Sequence, residues 1–501
     1  VSYHVGREAN SVYGETLNGR QFQNNHNFRV PVDPYREEGK PESGLLWGIS
    51  PEPPGKAGEG DSAVQAYNFR MCLTKAADRI PIPKPDGYDP ARYELLLRYI
   101  KAGVWDALRL TSMMPNGKTD TNNFGGFSTD YIGGNHAYPE ADWATREKII
   151  ADHRCYQQGM MYFLANDERV PDNVRADAGA WGLPRDEFTD NGGWARQLYV
   201  REARRMVGAY VMTEAHCRGK EVAPDSIGLA SYGMDSHNCR RVVIDGKVRN
   251  EGNVEVGVAG PYPIAYLAIT PRAEQCDNLL VPICLSASHI AYGSIRMEPV
   301  FMITGQSAAV AAALAIKADC SVQTVDREAL RQRLLDGKQV LEWVRGPEDE
   351  SATKVSAIDP KSLPGITLDD TEAKFTGTWI ASTVAGNRLV GTGYFHDGND
   401  HKGDLSVTWV TKMKTAGTYQ VVLLAPYNGN RAQRVPVTVS VDDKPLAVVI
   451  VNMRDAAAEG RLVVGTWRLE ADAQVSVTVS NRDTDGYVVA DGLQFLPHNG
   501  G

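Results

Sequence analysis

No C-x-x-C pair, no H-E-x-x-H, no P-loop and no G-x-S-x-G elbow occurs in the 501 residues. These absences exclude, in turn, a thiolate zinc ribbon, a zincin-type protease, a Walker-type triphosphatase and a hydrolase nucleophile elbow. Basic runs are lacking too: 53 Lys and Arg face 62 Asp and Glu, for a net charge of -9, so nucleic acid is not an expected partner. No run of about 18 uncharged apolar residues is found, so no membrane span is expected. The seven cysteines all precede residue 321 and are scattered. An odd, dispersed set reads as free thiols and leaves the compartment open. The start at Val1 shows no basic segment followed by an apolar run, hence no expected signal peptide. The opening VSYHVGREANSVYGETLNG reads as the interior of a longer protein.

What is present is ordinary globular composition, 42% hydrophobic and 23% charged, over a length that predicts two or three domains. Residues 21–62 are loop-rich in Pro, Gly and charge. The pattern then predicts a strand over Val64–Thr74 and a helix from the Asp89-Pro90 cap to Ile100. Further helices are expected over Trp143–Ala165 and Trp194–Cys217, the latter with Arg201, Glu202, Arg204 and Arg205 on its wet face. RRVVID and VRNEG around Gly246-Lys247 read as a hairpin, and LLVPICLS is β-like. Gly305–Lys317 and residues 326–345, capped by Asp326, are expected to be helical. A linker is expected over 346–372. Beyond it come eight short alternating runs, WIASTVAG, LSVTWVTKM, TYQVVLLAP, VPVTVSVDD, LAVVIVN, RLVVGTWRLE, AQVSVTVSN and YVVADGLQFLP, spaced as an antiparallel sandwich. The expected fold is therefore α+β over 1–345 and all-β over 373–501.

Three polar stretches could carry chemistry. Small residues at Gly305-Gln306-Ser307-Ala308-Ala309, expected to open their helix, suit either close approach of an anion or carbonyl, or tight core packing. Ser286–Glu298 concentrates Ser288, His289, Tyr292 and Arg296 between two apolar runs. His289 could act as acid or base and Arg296 could hold an anion, or both could be core residues satisfied by ion pairs. The loop Ser231–Asn238 offers Tyr232, Asp235, His237 and Asn238, a donor and acceptor set suited to a polyhydroxylated substrate but also to ordinary turns. In the last third, His396–Asp404 is rich in oxygen ligands, and an Asx turn is favoured over calcium, so no metal is expected. Trp379, Tyr394, Trp409, Tyr427 and Trp467 could face a glycan, although strand alternation places most in the core.

Taken together, VSYHVGREANSVYGE, VAPDSIGLASYGMDSHNCRRVV, PYPIAYLAITPR and ICLSASHIAYGSIRMEPVFMITGQSAAVAAALAI resemble the bacterial FAD-dependent oxidoreductases, a group to which a xanthan-lyase label is often attached. Residues 373–497 resemble the golvesin-type β-sandwich. The resemblance implies a substrate-domain-like fold with an incomplete Rossmann part, and FAD as cofactor. It also implies a carbohydrate-related or other polar small-molecule substrate and a periplasmic or secreted setting. By likeness, Gly305, Gln306, Ser307 and Ser288 would meet the flavin. His289, Arg296, His237 and Tyr232 are the candidate catalytic groups, with Asp235, Asn238 and Tyr292 as substrate contacts. The family's glycine fingerprint G-x-G-x-x-G is not found, and Gly391-Thr392-Gly393 lacks its strand-to-helix context. Two other functions stay open: a glycan- or partner-binding module, and a polysaccharide lyase in which His289, His237, Tyr232 and Arg296 serve as base and carboxylate neutraliser.

Overall fold

The computed structural model describes residues 1–106, 113–344, 357–382, 389–399, 402–455 and 460–498. The chain divides into two compact units, Val1–Trp343 and Val344–Gly501.

Unit 1 has little regular sheet. Its strands of three or more residues are β1 (Tyr3–Val5), β2 (Arg204–Met206), β3 (Ser226–Ala230), β4 (Met234–Ser236), β5 (Arg240–Ile244), β6 (Lys247–Glu251), β7 (Val254–Val256) and β8 (Tyr262–Ala265). They pair only two at a time, all antiparallel: β1 with β2, β3 with β8, β4 with β7, and β5 with β6 as the expected hairpin. Helices α1 (Glu94–Lys101), α2 (Trp143–Asn166) and α3 (Asp172–Gly179) surround one core. There Tyr67, Phe69, Tyr93, Tyr156, Phe163 and Trp194 are buried. Asp89 does cap the first turn before α1, accepting from Ala91 N–H at 2.9 Å. Helices α4 (His289–Ile295), α5 (Glu298–Ala318) and α6 (Arg327–Asp336) complete a second core around β3 and β8. By length and composition α5 could cross a membrane. Here it lies against β3 and α6, burying Val300, Ser307, Ala308, Ala311 and Ala315.

Several expectations are corrected. Trp194–Cys217 is not a helix: it contains β2 and a single turn at Glu214–Cys217. The charged residues read as its wet face are the reason, because Arg201, Glu202 and Arg205 are buried in ion pairs with distant residues. Val64–Thr74 runs extended but forms only isolated bridges, at Asn68, Met71 and Thr74. The Gln157 side chain replaces a neighbouring strand there, accepting from Phe69 N–H at 2.6 Å and donating to Phe69 C=O at 2.9 Å. The run LLVPICLS makes no strand. The last helix of the unit stops at Asp336, where Gly337 donates back to Arg333 C=O. Gly305 does not open its helix. It lies two turns inside α5, where backbone N–H groups are already bonded to carbonyls four residues earlier.

Unit 2 is a sandwich, and each of the eight alternating runs holds a strand. Its strands of three or more residues are β9 (Ile366–Asp369), β10 (Lys374–Thr376), β11 (Ile380–Ser382), β12 (Tyr394–His396), β13 (Ser406–Lys412), β14 (Gly417–Leu424), β15 (Val435–Val441), β16 (Lys444–Val451), β17 (Arg461–Leu469), β18 (Gln474–Ser480) and β19 (Gly492–Pro497). One sheet has the order β10-β13-β18-β15-β16, another β9-β19-β14-β17. The strand β9 falls within the span expected to be linker, because it pairs along β19 from Ile366↔Phe495 to Asp369↔Gly492. Inward positions Val407, Trp409, Val437, Val439, Val475, Val477 and Val479 are fully buried. Outward, Thr408 and Thr478 face each other with hydroxyls 2.8 Å apart. This is the period-2 alternation that made the unit readable. Trp379, Tyr394 and Trp409 are core residues, and only Tyr427 among the five aromatics is exposed. The oxygen-rich stretch folds as an Asx turn: Asp397 accepts from Asn399 N–H and Val488 N–H and pairs with Lys402 at 2.7 Å.

Truncating the central tryptophan, Trp409→Ala, is expected to destabilise unit 2 by about 3–5 kcal/mol in a denaturant melt. A second expectation concerns pH. Burial, outweighing the hydrogen bond from Val390 N–H, pushes the Asp491 carboxyl up to about 8, and burial beside Asp369 pushes Asp370 to about 7. Both hold a proton in the folded unit that the unfolded chain releases above the ordinary value of 3.8. Their contribution to stability is therefore full below about pH 4 and lost as pH rises towards 8. Melting temperature should fall over that window, and Asp491→Asn should flatten the fall.

Candidate functional site

The loops of unit 1 are joined by buried charge. Arg205 is fully buried and donates to Glu202 at 2.6 Å, to Glu8 at 2.7 Å and to the Ala287 carbonyl at 3.0 Å. His289, at the start of α4, has both ring nitrogens engaged: Nδ1 with Glu202 at 2.8 Å and Nε2 with the Ser236 hydroxyl at 3.0 Å. Burial alone would raise the Glu202 carboxyl, but His289 and Arg205 outweigh it and hold it down to about 2. Ser288 caps α4 and donates to Glu15 at 2.6 Å, and the Tyr292 hydroxyl donates to the Ile283 carbonyl at 3.2 Å. Arg205, Ser288, His289 and Tyr292 are all buried in this interior network.

That network supports an open cleft on its other side. The segment from His289 to Arg296 lies directly behind β4. Gly293 lets α4 sit on the strand, since a Cβ there would stand 2.5 Å from the Asp235 carbonyl oxygen. Ser294 donates to the Tyr232 carbonyl, and Arg296 donates to Asp235 at 2.9 Å. The cleft, of about 440 Å³, is lined by His26, Asn122, Asn123, Tyr232, Asp235, His237, Asn253 and Glu255 among others. Asp235 and Glu255 are direct cross-strand partners on β4 and β7. Like charges so placed repel, and each is offset by its own cation: Arg296 for Asp235, and His26 at 3.0 Å for Glu255. Despite its partial burial, Glu255 is held down to about 2 by His26, which is itself raised.

At the floor stands His237. Its Nδ1 lies 2.7 Å from an Asp130 oxygen, and Asp130 also pairs with Arg201 at 3.1 Å. A carboxylate partner fixes the proton on Nδ1 and leaves the Nε2 lone pair free. Nε2 is 3.9 Å from Asp235 Oδ2, beyond hydrogen-bond reach. Burial and the nearby Arg201 lower the His237 imidazole below its ordinary 6.5, against the pull of Asp130, so the ring is neutral at pH 7. Asp130 stays ionised, because Arg201 and His237 outweigh its burial. A neutral imidazole with an oriented carboxylate behind it and a bare nitrogen towards a cleft is the arrangement of a proton acceptor.

Of the residues singled out by sequence, Tyr232, Asp235 and His237 meet at the cleft. Arg296 lies one layer behind Asp235. Asn238 is buried and donates to the His26 carbonyl at 3.0 Å. Ser307 donates to the Ile227 carbonyl at 2.7 Å, while Gln306 is exposed on α5. Sequence reasoning missed His26, Asn122, Asn123, Asn253 and Glu255, and the positioning pair Asp130 and Arg201. Only VEV at 254–256 carried a signal, a lone carboxylate alternating between two valines. Gly293→Ala should press α4 off β4, lowering stability by about 1–3 kcal/mol and weakening any cleft ligand, as read by melting and titration together.

Parts of the chain are similar to known proteins. A xanthan lyase from Bacillus sp. (strain GL1) is 32% identical over 149 residues, which is 28% of this chain and 16% of the lyase. The solved Paenibacillus xanthan lyase is 31% identical over 26% of this chain and 13% of its own, with a TM-score of 0.25. A family 35 carbohydrate-binding module from Clostridium thermocellum is 15% identical over 26% of this chain and 98% of its own, with a TM-score of 0.21. The chain thus spans a small part of the lyases' length. Residues 366–497 match the Golvesin C-terminal domain. Residues 1–334 match the family described as FAD dependent oxidoreductase, and the chain belongs to that family.

Proposed function

We propose that unit 1 carries the substrate side of a FAD-dependent oxidoreductase acting on a carbohydrate-related or similarly polar small molecule. The observation that carries this reading is the Asp130–His237 pair under an open polar cleft. In it, His237 Nε2 takes a proton from a substrate hydroxyl, and Asp130 stabilises the imidazolium that forms. Tyr232, Asp235 and the asparagine amides orient the substrate. FAD comes with family membership. Among the described residues of unit 1 there is no glycine fingerprint, and paired strands are antiparallel, so these residues do not fit the dinucleotide half of the cofactor. The step assigned here is therefore the proton transfer alone. A periplasmic or secreted setting belongs to the same reading and is checked by cell fractionation.

The lyase relatives motivate a second reading, proton abstraction beside a uronate carboxylate. It needs a cation free to neutralise that carboxylate, whereas Arg296, Arg201 and His26 are each engaged by a carboxylate of the chain. A glycan-binding role through the sandwich is weakened by the burial of Trp379, Tyr394 and Trp409.

In the FAD-loaded native protein, His237→Gln should lower turnover by about 10²–10⁴-fold with little change in melting temperature. Wild-type activity should rise with pH through a limb below 6.5 and level off by about pH 7. Asp130→Asn should displace that limb. Retention of most activity by His237→Gln would overturn the assignment.

A further inference from the structure

Resting on the reading that the cleft is the substrate site, we infer that it is built for a neutral vicinal diol, as on an uncharged sugar ring, and discriminates against uronates. The inference comes from which polar atoms remain uncommitted. Glu255 is occupied: one oxygen takes His26 and Asn253, and the other takes Asn25 at 3.1 Å. Asp235 spends Oδ2 on Arg296, while Oδ1 has no partner among the described residues. His237 spends Nδ1 on Asp130 and keeps the Nε2 lone pair. The cleft therefore presents two free acceptors, a carboxylate oxygen and a neutral imidazole nitrogen, on residues two apart at the end of β4, with His237 Nε2 3.9 Å from the other Asp235 oxygen. Two donors on neighbouring carbons satisfy both at once: one hydroxyl lies on His237 Nε2, the other on Asp235 Oδ1. A single hydroxyl leaves one acceptor unpaired.

Charge decides the rest. Asp235 and Glu255 stand at the cleft wall, and the nearby cations are each neutralised within the chain. A carboxylate on the substrate would meet two like charges and no free cation, and would lose its hydration besides. A neutral ring loses nothing of the kind. It can also lay a C–H face on Tyr232, which is 47% exposed at the rim, while the amides of Asn122, Asn123 and Asn253 serve its remaining hydroxyls.

The test uses the full chain, with calorimetry and saturation-transfer NMR. The probes are methyl β-D-glucopyranoside, methyl β-D-galactopyranoside, the matching methyl uronosides, and the monodeoxy forms of the neutral pair. Neutral glycosides should bind at least ~10-fold more tightly than their uronosides, and deoxygenation at one of two adjacent positions should cost a similar factor. Asp235→Asn, which keeps the shape of the side chain, should weaken the neutral glycosides and shrink the discrimination. The wild-type comparison stands whether or not that variant folds. Uronosides binding as tightly as the neutral forms, at a site lost in Asp235→Asn, would overturn the diol inference and leave the cleft as substrate site. Absence of binding by every probe would overturn both.

Discussion

Unit 1 depends on buried arginine–carboxylate pairing. Arg7 joins Glu251 and Asp61, Arg201 joins Asp130, and Arg205 joins Glu8 and Glu202, with each guanidinium fully withdrawn from water. The partners are far apart in sequence: Arg7 and Glu251 are separated by 244 positions, and Glu8 and Arg205 by 197. Such pairs add little net free energy, because desolvation offsets attraction, but they are very costly to break one partner at a time. Their effect is to specify. A mispaired loop would strand a charge in the interior, so the irregular chain between short two-stranded ladders has one arrangement.

The cleft inherits its order from that network. His289 and Ser294 on α4, with Arg296 just after it, reach Ser236, Tyr232 and Asp235, so three residues of the cleft segment 232–236 are fixed from behind. Arg201 holds Asp130, which holds His237. A base must keep its lone pair aimed to within a fraction of an ångström, and a loop alone does not do this. Here the loop is backed by ion pairs on one side and a helix on the other. The stretch from Ile283 to Leu314 is thus chiefly a supporting wall. Its Gly293 matters because only a residue without Cβ allows the close approach, and Gly305, with open space beside it, plays no such part.

How much of this was legible follows from where the period-forming residues sit. In unit 2 each face of a strand is either core or solvent, so Val437, Val439, Val475, Val477 and Val479 announce the strands directly. The hairpin at Gly246 and the caps at Asp89 and Asp326 were equally local and equally readable. Trp194–Cys217 misled for the opposite reason. Arg201, Glu202 and Arg205 look like a solvated face only if charge implies water, and their partners lie up to 197 positions away. Val64–Thr74 has the composition of a strand, but Gln157, on a helix, supplies the bonds a second strand would. At the site, Tyr232, Asp235 and His237 fell within one short segment and could be found. His26 and Asn122 come from two separate loops and Glu255 from β7, and nothing local joins them.

The same long-range pairing explains why the chemistry lies where the regular structure is weakest. A substrate hydroxyl needs acceptors that are desolvated, directional and left partly unpaired. A regular sheet consumes its polar groups in its own ladder and presents side chains in fixed alternation. The short β4–β7 ladder does neither: it places Asp235 against Glu255, a pairing that a longer sheet would avoid. His26 and Arg296 then cancel the repulsion unequally. Glu255 is saturated by its neighbours, whereas Asp235 keeps one oxygen free beside His237. That asymmetry turns two like charges into one structural carboxylate and one recognition carboxylate. It arises from partners contributed by distant loops, so the buried ion network that defines the fold of unit 1 also decides which atoms of the cleft remain available to a ligand.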